Sequence, residues 1–442
     1  MEKQIFENKK IGEKYTLATH QSGLKIYLCE KKDFRGAYAV YGTRYGSIDN
    51  VFRIKGEKEW TTVPEGIAHY LEHKLFESED GDAFERYSKT GASANAYTSF
   101  DRTCYLFSCT DRFYDSFDIL LDFVQHPYFT EQTVQKEQGI IGQEIRMYDD
   151  SPSWVLLLNL FTIMYKNNPV RINIAGTAQT IAKINADLLY KCYDAFYNPA
   201  NMFITVCGNV DTERVLEAVE KGLKPVDKKE VEQKPYDEPA EVMAPYISQE
   251  MPVSLPLFAL GFKQDCEGYR SVKERVETEM LLELIIGSQT DFYNELMTEG
   301  LINKEFSATY FEGRNYACIL FSGESRDPAV LAERIKARIK EVLESGIDEN
   351  KFESVRRQFY GSYVMNFNNV ETVGDMLTGC ACSGAGLFDE AEIYENMTAE
   401  DLNKRAKESF DFDRLCLSVI EPVKDDEDGS EDYGEDSQEA DD

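Results

Sequence analysis

The chain has 442 residues, 42% hydrophobic and 12% aromatic, enough for two or more domains with sizeable cores. Its formal net charge of −32 at pH 7 argues against nucleic acid as a partner. No stretch has the length and apolarity of a bilayer-spanning helix, so no membrane role is expected.

Residues 1–10 lack the apolar run of a signal peptide. Residues 15–31 alternate polar and apolar around Ser22-Gly23, which predicts a hairpin, and 36–54 adds further strand-like sequence. A helix is then predicted over Gly66-Ile-Ala-His-Tyr-Leu-Glu-His-Lys-Leu-Phe-Glu77, with Thr61 or Thr62 as cap and Pro64 in its first turn. His69 and His73 are four residues apart, so on a helix they lie about 40° apart on one face. Two imidazoles at that spacing can grip one metal ion. Glu72 beside them can take a proton from the attacking water. The order is H-x-x-E-H, the reverse of H-E-x-x-H and a zinc peptidase signature. The bland alternative is a helix whose polar residues are satisfied in a core or face solvent.

A short helix is predicted at 82–88, and strands at 93–99 and 103–108 joined by Phe100-Asp101-Arg102. Helices follow at 113–124, 131–148, 152–165, 186–197 and 211–222, with a strand at 202–207. The helix at 131–148 opens at Thr130, a cap with Thr133 three residues on and so without a full capping box. It carries Glu137 and Glu144, seven apart and only about 20° out of register. A catalytic zinc site uses three protein ligands and a water, so one of these acids can complete the site and the other can support it. Asp149 and Asp150, near the helix end, are rivals, and spacing alone does not choose.

Residues 226–250 are charged and proline-containing and read as a linker. Beyond it a strand is expected at 254–262, helices at 270–286, 290–299, 327–344, 349–363 and 399–409, and strands at 304–310, 316–322 and 414–420. The two halves resemble each other. Asp187-Leu188 leads to Phe196 and a strand, and Asp401-Leu402 leads to Phe410 and a strand, an offset of 401 − 187 = 214. Such a period suggests duplicated α/β domains. The offset carries His69 onto Glu283, in a helix without histidine, so the second half should lack a metal site. The last eighteen residues, 425–442, hold eleven acids and no base and read as a disordered tail. Ten cysteines lie singly, with no CxxC pair, as expected of reduced core thiols in a cytoplasmic protein.

These features resemble the pitrilysin family of zinc metallopeptidases, which includes insulinase and the mitochondrial processing peptidase, and its smaller bacterial processing-peptidase-like branch in particular. The carriers are Gly66 to His73, Gly91-Ala-Ser-Ala-Asn-Ala-Tyr-Thr98, Glu137 to Glu144, Ala175-Gly-Thr177 and Tyr197-Asn-Pro-Ala-Asn-Met202. The resemblance implies an α+β fold of two homologous α/β domains, each a mainly antiparallel sheet with helices packed on it, facing each other across a chamber. It places a metal-binding peptidase domain at 1–225 and a homologous inactive domain at 251–424. It implies one Zn2+ ion on His69, His73 and Glu144, Glu72 as general base and Glu137 as a second acid supporting the site. Asn95 and Ala96 would lie on the strand that pairs with peptide substrate. Family members that act alone carry an Arg, and a Tyr seven residues later, in the second half. Aligned on Gly300-Leu301, Leu296 stands in place of the Arg and Asn303 in place of the Tyr, and Arg314 and Tyr316 do not fit the spacing. The expected protein is therefore a zinc endopeptidase for short or unfolded peptides, working with a homologous metal-free subunit that supplies the pair. The alternative is a zinc-holding scaffold or peptide-binding subunit that cleaves nothing.

Overall fold

The strand-forming runs collect into two main sheets. The computed structural model describes residues 1–423 apart from Asp80 and Cys266, and the expected tail at 425–442 lies outside that range. The larger sheet has seven strands in the order Glu2–Asn8, Glu13–Thr19, Lys25–Glu30, Met202–Gly208, Ala37–Thr43, Thr103–Cys109 and Ser93–Thr98. Neighbours are antiparallel except Lys25–Glu30 and Met202–Gly208, which run parallel. The smaller sheet has five strands in the order Tyr246–Met251, Leu415–Pro422, Leu257–Lys263, Tyr316–Glu324 and Ser307–Gly313. Here too only the first pair is parallel. Order and direction thus repeat those of the last five strands of the larger sheet. The two edge strands start 307 − 93 = 214 residues apart, the offset read from the sequence.

Helices cross between the halves. Pro152–Met164 lies on Leu257–Lys263 and Leu415–Pro422, while Val370–Ser383 lies on Met202–Gly208 and Ala37–Thr43. Leu160 and Phe161 share a core with Cys318 and Ile420, and Val373 and Leu377 share one with Val40 and Phe203. Strands Ala37–Thr43 and Met202–Gly208 are buried along their whole length, with both faces covered. That is why their residues read as continuous apolar runs rather than alternating ones.

The stretch 226–250, expected as a linker, also supplies structure. Val231–Gln233 pairs with Val51–Ile54, and Tyr246–Met251 starts the second sheet. Composition reports solubility, whereas these pairings are made by strands far away in the chain. Helices Val370–Ser383 and Asp389–Asn396 and the strand Glu2–Asn8 were not expected. The first of these helices contains Gly374, Gly379, Thr372 and two cysteines, poor helix formers that tertiary packing overrides.

A buried polar seam joins the halves. Arg314 Nη2 donates to Asp49 Oδ1 at 2.5 Å, and Asp49 is 2% exposed. Asp101 Oδ2, also buried, accepts from Tyr269 Oη at 2.9 Å and from the Arg314 backbone N–H at 3.3 Å. Removing one partner of a buried pair leaves an uncompensated charge. Arg314→Met should therefore lower unfolding stability by about 3 kcal/mol or more. Denaturant titration checks this, and a loss below about 1 kcal/mol, the range of an exposed pair, would contradict it.

Candidate metal and active site

The motif helix runs over Ile67–Leu75, and every residue of it except His73 is buried. Its start differs from expectation. Thr61 and Thr62 lie in a short strand paired with Val51 and Phe52, and Pro64 precedes the helix. The N-cap is Gly66, with φ 88° and no side-chain cap. The cause is a backbone crossing. A Cβ on Gly66 would lie 2.4 Å from the Ala175 carbonyl oxygen, and one on Gly176 would lie 2.6 Å from that of Glu65. Only glycine allows this approach, and it sets the helix against residues 173–177. The Tyr70 hydroxyl donates to the Val134 carbonyl and locks the motif helix onto Glu131–Asp149. That second helix does carry a full capping box, contrary to expectation. The Thr133 hydroxyl, in place of the usual Glu, accepts from the Thr130 N–H at 3.2 Å.

Between these two helices His69, His73 and Glu144 converge, each offering a ligand atom within 4.8 Å of the others. His69 Nε2 lies 3.5 Å from Glu144 Oε1, and His73 Nε2 lies 3.3 Å from Glu144 Oε2. A tetrahedral ion with bonds of about 2.0–2.2 Å holds neighbouring donors about 3.3–3.6 Å apart, so the donor set fits zinc in its chemistry and each imidazole stands at such a spacing from one oxygen of Glu144. His73 Nδ1 donates to Glu137 Oε1 at 3.0 Å, so Nε2 is the ring nitrogen that faces the group and can give up its proton to a metal. Glu137 therefore lies behind His73, outside the three-residue group. Asp149 and Asp150 are not in the group.

Charges in the site are strongly coupled. Hydrogen bonds to His69 and His73 hold the Glu144 carboxyl well below the usual carboxylate range. Burial by itself would pull His73 down, but Glu137 and Glu144 outweigh it and raise its pKa to about 10. Burial pushes Glu72 up, opposed by His69 and by Thr98. Glu72 is 8% exposed, and its Oε2 accepts from Thr98 Oγ1 at 2.8 Å.

Thr98 ends Ser93–Thr98, whose outer edge has no partner strand among the described residues. Asn95 and Ala96 on this strand line an open cavity of about 570 Å3 together with Glu72, His73, Phe76 and Glu137. All residues lining it belong to the first half. Two contributors escaped the sequence reading. Thr98 was legible in principle, because Ala94 and Ala96 alternate toward the core and Thr98 is the next residue on that face. Tyr148 beside Glu144 carried no local signal; burial and that carboxylate push its phenol up.

In the second half, helix Val272–Ile286 holds the place of the motif helix. Glu283, Ile286 and Gly287 stand where His69, Glu72 and His73 would be, so it offers no such group. Leu296 is fully buried in that half's core, and Asn303 Nδ2 donates to Glu324 Oε2 at 2.6 Å. Arg314 is committed to Asp49, and Tyr316 is 3% exposed.

A duplicated α+β frame with an H-x-x-E-H helix in its first half is the frame of a metallopeptidase. Residues 61–178 match the family described as Insulinase (Peptidase family M16), and residues 183–359 match the Peptidase M16 inactive domain. A Bacillus subtilis strain 168 protein described as the uncharacterized zinc protease YmfH is 40% identical over 407 residues, covering 91% of this chain and 95% of that one. The crystal structure of an M16-like peptidase from Alicyclobacillus acidocaldarius superposes with a TM-score of 0.89 at 33% identity, over 92% of this chain and 98% of that one. The periplasmic protease PqqL of Escherichia coli shares the fold at a TM-score of 0.73 and 16% identity, over 92% of this chain but 47% of its own. The chain belongs to peptidase family M16, the insulinase family of zinc proteases.

Proposed function

We propose that this chain is a zinc-dependent endopeptidase for short or unfolded peptides and the catalytic subunit of a heterodimer with a homologous metal-free chain. The observation that carries the reading is the convergence of His69, His73 and Glu144 beside a buried Glu72. A structural zinc site has no use for a carboxylate there. Zinc, when bound, acidifies water and polarises a carbonyl. The chain's own residues do the rest. Glu72 takes the proton of the attacking water and passes it to the leaving amine. Glu137 fixes the ring of His73 through Nδ1. The strand carrying Asn95 and Ala96 has no partner on its outer edge among the described residues, so substrate backbone can pair along it, displacing the Asn95 Oδ1 that now accepts from the Ala96 N–H.

The cavity's confinement to one half, the burial of Leu296 and Tyr316, and the commitment of Arg314 to Asp49 support the need for a second subunit. The fold shared with PqqL accounts for about half of that protein's chain. The scaffold reading draws on the same missing Arg/Tyr pair and is weakened by the intact Glu72. No helix among the described residues is long and apolar enough to cross a membrane. Among the described residues, nine buried, unpaired cysteines favour a reducing cytoplasm.

The test is cleavage of a quenched peptide library by the zinc-loaded chain, alone and with its homologous partner, with and without chelator. Chelator-sensitive cleavage that needs the partner is expected. Strong cleavage by a proven monomer removes the heterodimer, and chelator-resistant cleavage removes the zinc mechanism.

A further inference from the structure

A buried carboxylate needs a donor, and Glu72 is 8% exposed. The only hydrogen bond to its carboxylate among the described residues comes from Thr98 Oγ1 at 2.8 Å. Thr98 belongs to a different element from Glu72: it ends the free edge strand Ser93–Thr98. Its hydroxyl also lies 3.3 Å from Thr103 Oγ1 on the neighbouring strand, and Thr103 donates to the Tyr45 carbonyl at 2.9 Å. A hydroxyl has one proton. Thr103 gives its proton to Tyr45, so a bond between the two threonines would need the proton of Thr98, and the shorter contact, 2.8 Å against 3.3 Å, gives that proton to the Glu72 carboxylate.

The setting is rigid. Thr103 and Tyr45 are fully buried. The turn after Thr98 is closed by the Ser99 N–H donating to the Arg102 carbonyl at 2.8 Å, and it is gripped from the second half by Tyr269 on Asp101. On the other side, Ala94 and Ala96 pack against the first-half core, and their small side chains let the strand lie close to the motif helix.

We propose that Thr98 is a positioning residue for Glu72, holding its carboxylate beside His69, His73 and Glu144 and tying it to the strand along which substrate pairs. This rests on the peptidase reading above. Ala96 and Thr98 share one face of the strand, two residues apart. A displacement of the strand by a docking peptide therefore reaches Glu72 through one hydrogen bond. A base misplaced by about 1 Å loses on the order of a hundredfold in rate.

The experiment compares Thr98→Val, which keeps the shape and deletes the donor, with Thr98→Ser, which keeps the donor. In crystals of Thr98→Val, Glu72 should leave its present rotamer while His69, His73 and Glu144 stay in place, and in Thr98→Ser it should not move. On a quenched peptide, Thr98→Val should lower kcat by about tenfold to a hundredfold with KM within about twofold and zinc content unchanged, and Thr98→Ser should recover most of the rate. An unmoved Glu72 in Thr98→Val, or a loss confined to KM or to zinc content, overturns the inference. If the wild type with zinc and partner cleaves nothing, the peptidase reading fails, and the position of Glu72 in the two variants still decides the role of Thr98.

Discussion

Glu72→Gln should retain zinc and lower turnover by about a thousandfold or more, within the range of a lost general base. Glutamine matches glutamate in size, and its amide oxygen can accept the hydrogen bond that Thr98 now gives to Glu72 Oε2. What it cannot do is take a proton from water. Glu72 is outside the three-residue donor group, so elemental analysis should find the metal content of the variant unchanged. The fold should be no less stable. Burial already pushes the proton affinity of Glu72 up, and a neutral amide avoids the desolvation of a charge. Single-turnover cleavage, metal analysis and thermal melting on one preparation separate these effects. Retained turnover would remove Glu72 from the chemistry, and loss of zinc would make it a ligand.

Zinc affinity should rise about tenfold for each pH unit between about pH 7 and 9, because one proton must leave the site for the metal to enter. That proton is on His73, whose pKa in the metal-free protein is raised to about 10 by Glu137 and Glu144. Glu144 is already ionised there, its carboxyl being held well below the ordinary range. The same coupling acts on the fold without metal. A raised histidine contributes stability that is complete below its ordinary value of 6.5 and is lost as pH climbs through about 10. The depressed Glu144 contributes above its ordinary 4.5, and that contribution is lost as pH falls below it. Chelator competition across this range reads the slope directly, and an affinity flat from pH 7 to 9 would contradict it. Glu137→Gln should flatten the dependence, since it removes the negative charge that raises His73, although its amide oxygen can still accept from Nδ1.

Much of the frame was visible in the residues. Helix Phe113–Val124 falls on its expected bounds, and the hairpin around Ser22-Gly23 joins Glu13–Thr19 to Lys25–Glu30 as the alternation suggested. The repeat, read from two short matches, reappears as matching strand orders in two sheets. The failures have a common origin. The cap at Gly66 is set by Ala175 and Gly176, more than a hundred residues away. Helix Val370–Ser383 is poor in helix formers and owes its place to the sheet of the other half.

Periodicity along single helices was enough to put His69 and His73 on one face and Glu137 and Glu144 on another, because a 3.6-residue turn is a local property of the backbone. The same periodicity could not say which acid faces the imidazoles and which stands behind one of them. That depends on the distance and rotation between two helices, set here by the backbone crossing at Gly66 and the Tyr70 bond to Val134. The hold of Thr98 on Glu72 is of the same kind. Close packing of elements far apart in the chain decides it, and no window of neighbouring residues records that packing.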